Sequence, residues 1–313
     1  MDEVVQRFDG AFHAWVSRRL EDRPVASLEK VLLRDYRDVW ERGDERRKAD
    51  VLHFLGDVRP PEGEDIVWGS LRSEDRWTVV PFGLAAANAY VLHNRARPDA
   101  QAVSALVGIV NEDRDAMLRF LALHVLALAK VEGLDSWIRD LAENDRASEV
   151  RYEANRILMR KGSVAGKDAL FADIRENPGH FGVADELWRH RQLFKLTEEE
   201  GRELRQVIAR YVEWLRGRLH DRVENESTRK MAVGMLRRFV SDGFPFEESD
   251  VEAVGKFAVT ASEIQGRLDA VDTLALINTP RAREWLEDIA SRQKPRKVVD
   301  KARYLLQLPR NPE

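Results

Sequence analysis

Apolar residues recur at helical spacing along most of this 313-residue chain. The stretch REWLEDIA, residues 283–290, places Trp285, Leu286 and Ile289 on one helical face and its charges on the opposite face. The stretch LRFLALHVLALAK, residues 118–130, is apolar nearly all round, so we expect that helix to be buried on several sides. Convincing period-two alternation, the mark of a half-buried strand, is not found. The pattern predicts an all-α protein.

Start and stop signals divide the chain into helices of ordinary length. Thr279-Pro280 has the form of an N-cap followed by proline at the first helical position. Thr197 and Glu200 have the spacing of a capping box, and Ser262 and Gln265 have the same spacing. We therefore predict helix starts at these three places, and a long helix from about 198 to 222.

A recurring motif is the most informative feature. Four segments read Arg-x-x-Ala-x-x-x-Leu, and a fifth keeps the Ala-x-x-x-Leu part. The alanines stand at positions 122, 154, 232, 270 and 302, at intervals of 32, 78, 38 and 32, where 78 is two steps of 39. An interval of this size is one helix pair with its turns. Because Ala and Leu four residues apart share a helix face, we expect these alanines to be buried where a neighbouring helix approaches closely.

The arginine of the motif lies three residues before the alanine, on the flank of that face. An acid precedes it by four residues in two cases, Asp115 before Arg119 and Glu263 before Arg267. That order favours an ion pair along the helix. Such an arginine can also reach the turn of the next repeat.

The motif resembles the second helix of the HEAT-repeat family, including its short phycobilin-lyase-like members and the related armadillo-type solenoids. The segments 133–162 and 277–308 each look like one whole unit. The resemblance implies a right-handed α-solenoid of about seven helical hairpins, with the second helices on the concave side. We expect HEAT-like repeats over 1–162 and 226–313, in one continuous array. An irregular segment over 163–225 is expected to bend the array into two lobes.

The dipeptide Gly166-Lys167 raises the question of a phosphate-binding loop. Such a loop needs four residues between its glycines, whereas Gly162 and Gly166 have three between them. Asp168 stands where a hydroxyl residue binds magnesium, and the preceding stretch is helical by the repeat. We predict a helix end at Gly162 and a new helix from about Ser163.

The composition and charge of the chain limit the compartments and the partners that we expect for it. The chain has no cysteine, which fits a reducing compartment, and its N-terminal residues lack an apolar signal core. The stretch 79–92 is too short to span a bilayer and contains Pro81 and Asn88. We expect a cytoplasmic protein without a membrane segment. The formal net charge of −4 lacks the basic excess typical of general nucleic-acid binding.

No assembled catalytic set is visible. There is no Gly-x-Ser-x-Gly stretch and no thiol. The His-Glu dipeptides that hold iron in deoxyhypusine hydroxylases, which are HEAT-like enzymes, are absent as well. We therefore predict no catalytic residue, no metal and no cofactor. The favoured function is a non-catalytic scaffold that binds a protein or another macromolecule in its concave groove. Its expected contacts are exposed second-helix residues, some of which will instead pair between repeats: Arg119, Arg151, Arg156, Arg229, Arg267 and Asp272.

A nucleic-acid role is the alternative. HEAT-like enzymes that remove alkylated bases from DNA use Trp, Asp and Arg on a concave basic face, and this chain has eight tryptophans. We expect Trp137, Trp214 and Trp285 in the core, because they lie in amphipathic patterns. Two basic clusters are the further candidates for a binding role, at 187–195 and 292–303. The first is favoured because it lies where the repeat lapses, and it contains Trp188, Arg189, Arg191 and Lys195.

Overall fold

A computed structural model describes residues 3–20, 25–221, 225–244 and 247–307. Within these ranges the chain forms α-helices and two short 3₁₀ turns, Pro61–Gly63 and Arg191–Leu193, and no strand. The predicted all-α class is confirmed. The outer limits of the predicted repeat regions, residues 1 and 313, lie outside the described residues.

Two compact units make up the chain. The first contains the residues up to Glu176 together with Arg189–Lys195, and the second contains Asn177–Trp188 and the residues from Leu196 onward. The helices of the first unit are α1 (Glu3–Leu20), α2 (Ala26–Arg42), α3 (Glu45–Val58), α4 (Glu64–Ser70), α5 (Val79–Leu92), α6 (Ala100–Glu112), α7 (Ala116–Leu128), α8 (Asp135–Asn144), α9 (Ser148–Arg160) and α10 (Val164–Glu176). Then follow α11 (Phe181–His190), α12 (Glu198–His220), α13 (Glu226–Ser241), α14 (Glu248–Thr260), α15 (Ile264–Ile277), α16 (Pro280–Ser291) and α17 (Arg296–Gln307).

The first unit contains four helical hairpins, α2/α3, α4/α5, α6/α7 and α8/α9. Their second helices, α3, α5, α7 and α9, pack side by side in one row, while α1 packs on α2 and α10 on α9. On α3, His53 lies beside Phe82 of α5 and Gly56 lies against Ala86, so the two helices run parallel. The chain turns back once between hairpins and once inside each hairpin. Successive second helices of the row therefore run in the same direction.

The second unit repeats this plan with three hairpins, α12/α13, α14/α15 and α16/α17. Their second helices α13, α15 and α17 again form a row, and α12, α14 and α16 form the row of first helices. Within the described residues the two units together contain seven hairpins, in agreement with the predicted number of about seven.

The motif alanines lie at the centre of this packing. Ala122, Ala154, Ala232, Ala270 and Ala302 are all 0% exposed. A larger side chain at these positions would push the neighbouring helix away, which explains why alanine recurs at the repeat interval. The predicted burial of the alanines is confirmed.

The Gly166-Lys167 stretch is a helix-to-helix turn. Helix α9 ends at Arg160, and Gly162 has a φ of +87°, a conformation that favours glycine. Gly166 lies inside α10 against α9, where a Cβ would come within 2.8 Å of the Asn155 carbonyl oxygen. Lys167 is buried, with its ammonium 5.7 Å from the Phe171 ring centroid. These positions confirm the predicted turn.

Helix α12, with 23 residues, is the predicted long helix, and its N-terminus carries the predicted capping box. The Thr197 hydroxyl accepts from the Glu200 N–H at 3.1 Å, and the Glu200 carboxylate accepts from the Thr197 N–H at 2.8 Å. The box predicted at Ser262 is wrong. Helix α15 begins at Ile264 without a side-chain cap, because the Ser262 hydroxyl donates to the Glu226 carboxylate instead.

We expect Thr197→Ala to lower the stability of the second unit by about 1 kcal/mol, because one helix donor loses its partner. Urea unfolding monitored by circular dichroism measures the change. Ser262→Ala is the comparison and should cost less than Thr197→Ala, because Ser262 caps no helix and the Glu226 carboxylate keeps the Glu263 N–H as a donor. Equal losses for the two variants would contradict the cap assignment.

Among the described residues, no helix is long and apolar enough to cross a membrane. Helix α5 contains no charged side chain, but its 14 residues reach only about 21 Å. A membrane-spanning role therefore does not explain why this helix is so apolar.

Candidate functional site

Three of the motif arginines each donate to the turn of their own hairpin. Arg119 donates to the Asp113 carbonyl at 3.1 Å, and Arg151 donates to the Asp145 carbonyl at 2.7 Å. Arg267 likewise donates to the Ala261 carbonyl. In each case the acceptor lies six residues earlier and caps the first helix of the same hairpin. The shared geometry explains why arginine recurs three residues before the alanine.

Arg119 is also an ion-pair partner of the next hairpin. It is 2% exposed, and its guanidinium lies 2.6 Å from the Asp145 carboxylate. The expectation that Arg119 is exposed for partner contact is therefore wrong. The predicted pair with Asp115 gives way to a cap, since Asp115 accepts from the Met117 N–H. The acid before Arg267, Glu263, pairs with Lys230 instead.

The other two motif-helix arginines are also held by neighbours. Arg156 donates through Nε to the fully buried Glu153 at 2.6 Å, and through its terminal nitrogen to His124 Nδ1 at 2.7 Å. The guanidinium of Arg229 lies 5.3 Å from the centroid of the Phe257 ring. Together with the turn contacts, these interactions account for all five arginines as links within and between hairpins.

Asp272, a further predicted contact, joins three second helices. Its carboxylate on α15 lies 3.5 Å from Arg237 on α13 and 2.9 Å from Lys301 on α17. This acid is therefore a link within the row of second helices in the second unit.

The favoured basic cluster at 187–195 is divided by the fold. Trp188 is buried in the second unit, where its indole N–H donates to Asp242 at 2.6 Å. Arg189, Arg191 and Lys195 belong to the first unit, and Arg189 and Lys195 are exposed. Trp188 as a partner-contact residue is therefore wrong, because its ring is part of the core. The role of the three cations stays a prediction.

Three of the six basic side chains in the cluster at 292–303 form ion pairs with nearby acids among the residues that the structure describes. Arg292 pairs with Asp288 at 2.8 Å and Lys301 pairs with Asp272. Arg303 donates to the Ala290 carbonyl at 3.0 Å. Lys294 and Lys297 are exposed, and a binding role for this cluster stays a prediction.

The outer side of α5 carries an exposed apolar surface that the sequence reading missed. Phe82 is 41% exposed and Leu92 is 59% exposed. Ala85 is exposed and Ala89 half-buried between them. We call these four residues the α5 stripe. They follow the spacing i, i+3, i+7 and i+10, so they lie along one helical face.

Neighbouring second helices extend this surface. On α7, Met117 is exposed, and Phe120 and His124 are half-buried with their rings stacked. The expectation that 118–130 is buried on several sides is confirmed, since α7 packs against α5, α6 and α9, and Phe120 and His124 lie on its half-buried outer side. On α3, His53 is exposed beside Phe82. The centre of the second-helix face is therefore apolar, with two imidazoles along it.

Cations lie at one end of the α5 stripe. Arg95 and Arg97 follow α5, and Lys130 follows the adjacent α7, so the parallel row places their loops at the same edge of the unit. All three are exposed and form no ion pair within the described residues. Of the nearby acids, Asp99 caps α6 and Glu132 is exposed. This edge, which we call the basic edge, carries an excess of positive charge.

A cleft of about 470 Å³ lies among the first helices of the same unit. Arg37 donates to both oxygens of Asp65, at 2.9 and 3.0 Å, and this interaction holds the pKa of Asp65 below its ordinary value. Trp68 donates to Glu64 at 3.2 Å and Arg72 to Gln101 at 2.9 Å. These lining groups satisfy one another, which is typical of a structural network.

A second cleft, of about 400 Å³, lies beside the turn before α5. Trp77 in this turn is 86% exposed, and its backbone N–H donates to Asp75 at 2.9 Å. The cleft is lined by side chains of both charges, including Arg76, Arg114 and Glu112. The mixed lining selects no single class of ligand.

The tryptophans do not lie on the second-helix face. None of the seven second helices contains one. Trp137 and Trp285 lie on first helices and are half-buried, whereas Trp214 on α12 is exposed, so its predicted core position is wrong. In the described part of the chain, no group of three or more His, Asp or Glu side chains is placed to hold a metal ion.

No protein-family model and no curated protein matches the chain. Among solved structures, human deoxyhypusine hydroxylase in complex with glycerol is similar over 80% of this chain and 97% of its own, at 15% sequence identity and a TM-score of 0.29. A likeness at this TM-score and identity supports no statement about the roles of residues. No residue role is therefore transferred from that enzyme.

Proposed function

We propose that this chain is a non-catalytic helical-repeat scaffold that binds a protein segment along the second-helix face of its first unit. The observation that carries the proposal is the exposed apolar stripe on α5. Continuous exposed apolar surface on a soluble repeat unit is costly unless a partner covers it. Stacked hairpins of this kind present long surfaces for such partners.

The shape of the stripe supports a protein side chain as the covering group. Phe82 and Leu92 stand at its ends, and the small Ala85 and Ala89 form a low floor between them. Apolar side chains of a partner placed on the alanine floor would lie between Phe82 at one end and Leu92 at the other. Buried anchors of this type carry most of the binding energy of protein interfaces.

The contacts of the arginines favour a protein over a nucleic acid. A nucleic-acid groove needs cations free to meet phosphates and aromatic rings free to stack. The motif arginines are instead committed to turn carbonyls, carboxylates and rings, and the second helices carry no tryptophan.

Site-specific photocrosslinking in the native host tests the proposal. A benzophenone amino acid at Ala85 should capture a protein, whereas the same probe at Leu33, an exposed leucine on the first helix α2, should not. The captured partner is then purified for binding measurements by calorimetry. We expect Phe82→Asp or Leu92→Asp to weaken the affinity for the captured partner by about tenfold or more. Either change places a charge where an apolar side chain of the partner would be buried.

Leu33→Asp is the matched control and should leave the affinity unchanged, since it makes the same change on the opposite row of helices. Circular dichroism verifies that all three variants remain folded. Equal capture at Ala85 and Leu33, or equal affinity for all three variants, would refute the proposed surface.

A further inference from the structure

The α5 stripe and the basic edge together specify the chemistry of the segment that binds there. We infer that this segment is an amphipathic helix with a bulky apolar residue at its centre and acidic residues at the end that lies on the basic edge. The inference rests on the proposed function and names the class of partner for that surface.

The spacing of the side chains along the stripe favours a helix over an extended strand. The stripe runs about 15 Å along α5, from Phe82 to Leu92. Its side chains rise from the helix at intervals of about 5 Å, the spacing that a second helix matches with residues at i, i+3 or i+4, and i+7. An extended strand would find no row of free backbone groups on α5, because a helix satisfies its own backbone donors and acceptors.

The charges fix the orientation of that helix. Arg95, Arg97 and Lys130 lie beyond Leu92, at the C-terminal ends of α5 and α7. Within the described residues these three cations have no ion-pair partner. Partner carboxylates placed there gain attraction to three cations, whereas partner cations meet repulsion. The acidic end of the partner therefore lies beside Leu92 and its opposite end beside Phe82.

A peptide selection on the full chain tests this chemistry. A displayed library of random 18-residue peptides is selected on the wild-type protein and counter-selected on Phe82→Asp. We expect enriched sequences with apolar residues at helical spacing and Asp or Glu at one end. The best peptide, synthesised and labelled, should bind in fluorescence anisotropy with an affinity that falls as sodium chloride rises. It should also gain helical circular dichroism on binding.

A charge exchange then tests the orientation. The double charge reversal Arg95→Glu with Arg97→Glu should lower the affinity for the acidic peptide by about tenfold. A peptide whose acids are replaced by Lys should bind the reversed protein better than it binds the wild type. Lys30→Glu, at an exposed cation on α2 that has no ion pair in the described part of the chain, is the control and should change the affinity less than about twofold.

The outcomes separate the partner chemistry from the proposed surface. Peptides whose binding requires Phe82 but is unchanged by the charge reversal, or that bind without becoming helical, would overturn this inference. The proposed binding surface itself would not be contradicted by that result. Failure to select any peptide that depends on Phe82 would overturn both. Two results would assign the stripe to a different occupant and overturn the inference: self-association of the chain that is lost in Leu92→Asp, or binding of duplex DNA that is lost in the double reversal.

Discussion

Arg119→Ala is expected to destabilise the first unit by about 3–5 kcal/mol. The guanidinium is 2% exposed and joins the Asp113 carbonyl to the Asp145 carboxylate, so its loss leaves a carboxylate without its cation in a nearly dry turn. The same side chain links the α6/α7 hairpin to the α8/α9 hairpin. We therefore expect the damage to concentrate at their junction.

Urea unfolding gives the total loss, and amide hydrogen exchange locates it in the two turns and the N-terminal halves of α7 and α9. Arg119→Lys should restore only part of the lost stability. An ammonium lacks the planar set of donors with which the guanidinium contacts the carbonyl and the carboxylate together. The double replacement Arg119→Met with Asp145→Leu should be milder than Arg119→Ala, since no charge is left unpaired. A loss below about 1 kcal/mol in Arg119→Ala would contradict the assigned role of the buried pair between Arg119 and Asp145.

The architecture could be predicted from the sequence because close helix packing restricts what a position tolerates. A buried crossing point accepts alanine and little else, so Ala122, Ala154 and Ala232 mark helix junctions at the repeat interval. The end of α9 could be predicted for a similar reason, since Gly162 adopts a positive φ. In both cases a local constraint on size or backbone conformation is visible in the residue type itself.

The functional surface could not be predicted in the same way. An arginine on a helix flank gives the same sequence pattern whether its side chain faces a partner or donates to a turn. The turn carbonyls that accept from Arg119 and Arg151 cannot be identified from the sequence. Trp188 belongs to a basic cluster that lies where the repeat lapses, a position that favours a binding role, yet its ring lies in the core. The sequence signal for the α5 stripe was the absence of any charged residue over 79–92, a pattern that indicates burial before the packing partners are known.

Ala154→Leu is expected to cost about 2–3 kcal/mol, by overpacking rather than by loss of a contact. Ala154 is 0% exposed on α9, which packs against α7, α8 and α10, so three added carbon atoms have no space to enter. Because neighbouring hairpins share this packing, the strain should reach α7 and α10 as well. Thermal unfolding measures the loss, and hydrogen exchange should show faster opening in these helices.

Ala85→Leu is the matched control, since it makes the same replacement in another second helix of the same unit. Ala85 is exposed on α5, and alanine and leucine have similar helix propensities, so we expect a change within about 0.5 kcal/mol. The difference between the two variants isolates the cost of crowding a helix junction. Equal stability for both would mean that the alanines are not the close-contact points of the hairpins, and the repeat would then need another physical basis.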